Sequence, residues 1–392
     1  MRSTWGAVAA GVLLVLAGGA LLWRHASPRS SAPVLTISKA SDPIAAAPTE
    51  PRSSRGTVMP NSAKGLWARP TPAIAAKNVR RCSIGAALSP MGASATAIEH
   101  FSNGDIAGVF SQLKAQAQAG DASAANQLDY IAHRTCEFAR NFQASELVES
   151  NSLPSADRDW FRAALEVNNA FKQQLVNDCQ QSLDKTDIDT WVTKAAARGD
   201  PASEYSLWMF GGTNINRNID ANLRAAALGG YPWAQFSLVG VSNQDAPGII
   251  NGGEPSDHPE DMLRVAAQTI PAAEDQLARC EFTGCKYIAQ DIPAAIADAR
   301  SAAQQGSFNA ILEIGPQIPA SQIDPDEVQA WQLVNAALQL QGYVGININV
   351  QRIKSASAVL NSPTLTPQVR ALAEQYWQRY GAKILSGLGC AE

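Results

Sequence analysis

Along most of the chain apolar residues recur at the i, i+3, i+4 spacing of a helix face. Only VGININV, Val344 to Val350, alternates in the manner of a strand, and an extended connection explains it equally well. Four stretches carry one common spacing: KAQAQAGDASAANQL, KAAARGDPASEYSL, RAAALGGYPWAQFSL and RSAAQQGSFNAILEI. They align on Gly120, Gly199, Gly230 and Gly306. Three residues before each glycine stands Ala117, Ala196, Ala227 or Ala303, and four after it Ala124, Ser203, Ala234 or Ala310. Eight residues after it comes Leu128, Leu207, Leu238 or Ile314, on the same helix face as the small residue before it. A glycine between two helical stretches ends the first, because it enters the left-handed conformation without a Cβ penalty. Each unit is therefore predicted to run helix, turn, helix, with small residues where the helices cross. On this reading a bulky residue at Ala227 or Gly230 acts through stability, by overpacking that crossing.

The best-matched units, from Lys194 to Leu238, lie thirty-one residues apart; the outer intervals, 79 and 76 residues, are about double a repeat period. One degenerate unit is expected in each gap, and the helical runs from Ala156 to Cys179 and from Glu260 to Cys280 are the places for them. Helix starts are marked by an acceptor and a proline: Asp200 with Pro201, Asp257 with Pro259 and Glu260, Asp324 with Pro325 and Glu327, Thr366 with Pro367. The pattern resembles the SEL-one-like repeat, a branch of the tetratricopeptide-like helical repeats with an Ala-Ala-x-x-Gly-x-x-x-Ala-x-x-x-Leu signature. That resemblance implies an all-α helix-turn-helix solenoid, built for binding a protein or peptide rather than for catalysis. In such arrays the first helix of each unit lines the binding face. Trp191 and Asn222 lie on segments that would supply it, whereas most other rings, such as Trp160, Phe161 and Tyr205, are expected in the core.

The amino terminus sets the organisation around this array. Residues 5–23 form a nineteen-residue run without a charge, bounded by Trp5 and Trp23, which reads as a transmembrane anchor in preference to a cleaved signal peptide. Residues 24–81 are rich in Pro, Ser and Ala and read as a disordered basic linker; residues 82–392 form the repeat domain. The charge is lopsided, +8 over residues 24–81 and −13 over residues 82–392, within a total of −4. An acidic domain repels phosphate, which excludes nucleic acid as its partner. The excess positive charge keeps a tether in water, and it would also suit anionic lipid head groups.

Arg24 and Arg29, just after the apolar run, would draw the carboxyl side inward by the positive-inside rule. The cysteines argue for the opposite orientation. There are six, Cys82, Cys136, Cys179, Cys280, Cys285 and Cys390, all beyond the linker. An even number suits disulfides, although spacing by itself leaves the connectivity open. The expected set is Cys280 with Cys285, which a turn brings together, Cys136 with Cys179, and Cys82 with Cys390 across the ends of the domain. Oxidised cysteines place the repeats in a periplasm, with the chain held in a bacterial inner membrane by one pass.

No catalytic residue, cofactor site or metal site is read from the sequence. His258-Pro259-Glu260 with Cys280 and Cys285 is a poor imitation of a zinc-deaminase signature, because four residues separate the cysteines and no proline precedes the first. Ser182-Leu183-Asp184-Lys185 satisfies Ser-x-x-Lys without the companion motifs of penicillin-recognising enzymes. His133 lies three residues from Cys136 and would need two further metal ligands, which the sequence does not indicate. The chain is thus expected to be a membrane-tethered, extracytoplasmic scaffold that binds a protein or peptide. An envelope enzyme, or a receptor for cell-wall or penicillin-type ligands on the same array, is the alternative.

Overall fold

The computed structural model describes residues 70–71, 73–75, 77–79, 81–82, 105–136, 150–210, 219–243, 258–285, 288–343 and 350–390, together with Trp67, His100 and Asn103. The turns set the architecture. At Gly230, with φ 85°, the glycine N–H donates to the Ala227 carbonyl at 3.1 Å and the Tyr231 N–H to the Ala226 carbonyl at 3.0 Å. This pair of bonds satisfies carbonyls that the end of a helix leaves without partners. The same two bonds and a positive φ recur at Gly120, Gly199 and Gly306, and again at Gly342 and Gly389, which the sequence alignment did not include.

Between these turns run α1 (Ile106–Gln118), α2 (Ala122–Tyr130), α3 (Ser155–Ser182), α4 (Lys185–Ala196), α5 (Pro201–Phe210), α6 (Ile219–Leu228) and α7 (Pro232–Asn243). They are followed by α8 (Pro259–Ala267), α9 (Pro271–Thr283), α10 (Ile292–Gln304), α11 (Asn309–Ile314), α12 (Pro325–Leu340), α13 (Val350–Leu360) and α14 (Pro367–Gly387). Asp200, Asp324 and Thr366 cap their helices as expected, accepting from the N–H groups of Ser203 at 2.8 Å, Asp326 at 2.9 Å and Val369 at 3.2 Å. At α8 the cap position is not Asp257 but His258, in the left-handed region at φ 51° and without a side-chain capping bond. Proline at the next position already supplies a helical φ there.

From α4 to α12 each helix packs on the next, so consecutive hairpins stack and the fold is an all-α helical-repeat array. The small residues of the repeat lie where expected. Ala124, Ser203, Ala234 and Ala310 are at most 1 % exposed, and Leu128, Leu238 and Ile314 are buried. The second unit departs in detail: Leu207 and Ala196 are half-buried, and Ala195 takes the inward place.

The two long intervals have different origins. Helices α8 and α9 form the degenerate hairpin expected between Gly230 and Gly306, with Thr269 in place of glycine and Ala266, Ala273 and Leu277 buried at the matching offsets. Among the described residues of the other interval no second hairpin occurs. Residues 155–182 form one 28-residue helix, about 42 Å long. Because α2 packs directly on both α4 and α5, α3 leaves the stacking order and runs as a strut, touching α1 and also α13. Its start is sealed there by the buried Ser357 hydroxyl, which donates to Asp157 at 2.7 Å across 200 residues of sequence.

Part of the expected linker belongs to this packing. Residues 73–75, 77–79 and 81–82 are helical, and Ala75 and Val79 are at most 1 % exposed against α3, α12 and α13. The Trp160 indole donates to the Pro70 carbonyl at 3.0 Å, and the Asn78 amide to the Gln341 carbonyl at 2.8 Å. The folded region therefore starts well before residue 82, because apolar residues inside the Pro- and Ala-rich stretch find a groove that local composition does not reveal.

The cysteines pair as Cys82–Cys390, Cys136–Cys179 and Cys280–Cys285, with Cα separations of 4.4, 6.2 and 5.0 Å. The second ties the strut to the first hairpin. No strand occurs among the described residues, only an isolated bridge between Cys285 and Ile288. Val350 opens α13, and residues 344–349, the rest of the strand-like stretch, lie outside the described residues, as does the apolar run 5–23. Among the described residues no helix is long and apolar enough to cross a membrane.

Candidate functional site

Three consecutive turns, before α7, α9 and α11, meet at a cleft of about 600 Å³. Tyr231, Pro232 and Trp233 enter from the turn before α7, Thr269 to Ala272 from the turn before α9, and Gln305 to Ser307 from the turn before α11. The end of α14, from Lys383 to Gly389, makes the remaining wall. This wall sits close because it has no side chain at Gly387: a Cβ there would run into the Gln305 carbonyl oxygen. Tyr231 is half-buried against Tyr205, ring centres 5.3 Å apart, and burial pushes its phenol pKa up, so it remains a neutral hydroxyl. Trp233 meets Phe236 edge-on at 6.2 Å. Among the described lining residues Lys383 is the one cation; the Glu274 carboxylate, which accepts from the Gln305 amide at 2.5 Å, lies within reach of its charge. The surface offers rings, prolines, an amide and one positive charge.

Neither sequence candidate lines this cleft. Trp191, on α4, is half-buried over the core of α1 to α4, and with Leu128 and Ile188 it borders only a cavity of about 10 Å³. Asn222, on α6, is half-buried elsewhere. The cleft was not legible in the sequence because its residues come from four separate turns. The shared signal is that each segment flanks a helix-ending glycine, Gly230, Gly306 or Gly389, or its Thr269 substitute.

A second cluster joins residues the sequence left apart. After α2 the backbone widens into a π-helical turn, Ile131–Thr135, which carries His133. Its Nε2 lies 3.5 Å from Asp129 Oδ1, one turn earlier, and 3.7 Å from Asp189 Oδ1 on α4. The ring stacks on Phe210 at 5.3 Å and 12°. Asp129 is 3 % exposed and accepts the Ser206 hydroxyl at 2.5 Å on its other oxygen. Burial pushes the Asp129 carboxyl up to about 7; the Ser206 bond opposes this, Asp189 adds to it and Lys185 opposes it. The metal-ligand reading of His133 with Cys136 fails, since Cys136 is bonded to Cys179. The informative spacing was Asp129 with His133, four residues apart on one helix face.

A third group is a carboxyl pair between α9 and α10. Glu281 is 1 % exposed; burial, then the nearby Asp298, push it up to about 7, while Arg264 pulls it down. Burial raises Asp298 too. Arg264 lies 3.1 Å from Glu281 and 3.1 Å from Glu260. The neighbouring Cys280 and Cys285 are spent on each other, and His258 is 76 % exposed, so the deaminase-like combination holds no zinc. The Ser-x-x-Lys residues straddle the break between α3 and α4, where Asp184 caps the Thr186 N–H at 2.9 Å.

No protein-family model and no curated protein matches the chain. Among solved structures it is similar to c5321, a protective antigen present in uropathogenic Escherichia coli strains displaying an SLR fold, at 16 % identity and a TM-score of 0.31. The match covers 70 % of this chain, which spans 65 % of that one.

Proposed function

We propose that this chain is a SEL-one-like scaffold, held at the outer side of a bacterial inner membrane by residues 5–23, that binds an extended segment of a partner protein in its turn-edge cleft. The observation that carries the reading is the lining of that cleft. Tyr231, Trp233, Pro232 and Pro271 offer flat apolar surface, and Lys383 selects an acidic group. The extracytoplasmic location is supported by six cysteines that sit within bonding distance in pairs.

Selection of a displayed peptide library on the purified, oxidised protein tests the proposal. Enriched peptides should combine aromatic or aliphatic residues with an Asp or Glu. Lys383→Glu, at an exposed position, and Trp233→Ala should each weaken them about tenfold. Peptides indifferent to both substitutions, or no enrichment from a folded protein, would reject the cleft. The cleft volume also falls in the range of small-molecule sites. Saturable binding of a cell-wall fragment or a penicillin, lost in the same variants, would move the function to the receptor reading.

A further inference from the structure

We infer that Asp129, His133 and Asp189 form a binding site for one divalent transition-metal cation of the Zn²⁺ kind. Their ligand atoms all lie within 4.8 Å of one another. The two carboxylate oxygens converge on the same imidazole nitrogen, at 3.5 and 3.7 Å. Those separations exceed the roughly 2.7–3.2 Å of a hydrogen bond to nitrogen. They are close to the edges, about 3.3–3.6 Å, of a tetrahedron whose ligands stand about 2.0–2.2 Å from a central Zn²⁺. A cation at the centre joins all three atoms at once; a single proton on Nε2 points at one carboxylate or the other.

The surroundings are built as an outer shell. The Ser206 hydroxyl, itself buried, holds the second oxygen of Asp129 at 2.5 Å and so turns the first towards His133. Phe210 fixes the plane of the imidazole by stacking on it. Such partners orient the direct ligands and raise affinity. His133 sits in a π-helical turn, and turns of this kind concentrate at functional positions. The donor set decides the metal class. One imidazole with two carboxylates suits Zn²⁺ and its first-row neighbours, whereas Ca²⁺ and Mg²⁺ need about six oxygen ligands. Three protein ligands leave a fourth position for water or for a side chain of a partner. Because Asp129 and His133 follow from α2 while Asp189 is on α4, the cation would also clamp two adjacent hairpins across their interface.

The test uses the full chain, treated with chelator and returned to metal-free buffer. Calorimetric titration with Zn²⁺ should show one saturable equivalent at micromolar metal, with a higher melting temperature, and Co²⁺ should give the visible bands of a four-coordinate site. Asp189→Asn, on a side chain that is 62 % exposed, leaves the fold intact and should weaken Zn²⁺ by about tenfold or more, as should His133→Gln. Ser206→Ala, which touches no metal, should weaken it by about tenfold through Asp129. Absence of saturable Zn²⁺ binding by folded protein would overturn the site. So would an affinity unchanged in Asp189→Asn and His133→Gln, which would place any bound metal elsewhere.

Discussion

An added methyl group would meet nothing within 4 Å at Gly230, but at Gly306 it would meet Leu388 Cγ at 2.8 Å and the Ile384 carbonyl at 2.9 Å. The two glycines share a left-handed backbone, φ 85° and 90°, yet play different parts. At Gly230 a methyl group is opposed by the conformation alone, with nothing beside it to crowd, whereas at Ala227, which is 1 % exposed, added bulk overpacks the helix crossing. Gly230→Ala should cost about 1–2 kcal/mol, the strain of a left-handed Cβ. Gly306→Ala should cost clearly more, and Gly342→Ala too, because its Cβ would displace the Ala75 backbone. Urea denaturation of the three variants checks the order; equal losses would mean that the turns relax independently of what lies over them. The sequence displays the shared role of these glycines, since helix termination is local. What each one touches depends on chain from elsewhere.

At the scale of the element, the hairpins are legible and the exceptions are not. A glycine flanked by small residues marks a helix pair because ending one helix and starting the next is a local transaction between caps. The α8–α9 hairpin has the same buried alanines and leucine, so its existence is readable even though Thr269 hides the turn. The strut α3 is helical for the same reason as the rest, and nothing in its periodicity says that it leaves the stack. The carboxyl pair on these elements was equally hidden, since the buried Glu281 and the half-buried Asp298 meet only once α9 packs on α10. Their pairing carries a pH signature. A carboxyl group whose folded pKa is raised binds more protons folded than unfolded, so stability falls as pH rises from the ordinary glutamate value of 4.5 to about 7 and levels off above it. In Glu281→Gln that downward slope should flatten, with the variant gaining on the native protein at pH 8. Parallel pH profiles of the denaturation midpoint in the two proteins would show that Glu281 is not the group responsible.

Across the whole molecule the two ends of the folded region meet. A linear array of repeats contacts only its neighbours and frays from its ends. Here α3 reaches α13, Pro70 lies under Trp160, and Cys82 joins Cys390 with 4.4 Å between their Cα atoms. The consequence is mechanical. A force applied outside residues 82 and 390 passes through one sulfur–sulfur bond, and the helices between them carry none of it. Held by optical tweezers through residues 81 and 391, the oxidised protein should show no unfolding extension, whereas Cys82→Ser with Cys390→Ser should release its helical pairs in steps. A spring that can be shunted by oxidation is a rigid link in one state and an extensible tether in the other, and extension in the oxidised protein would show that the bond does not form.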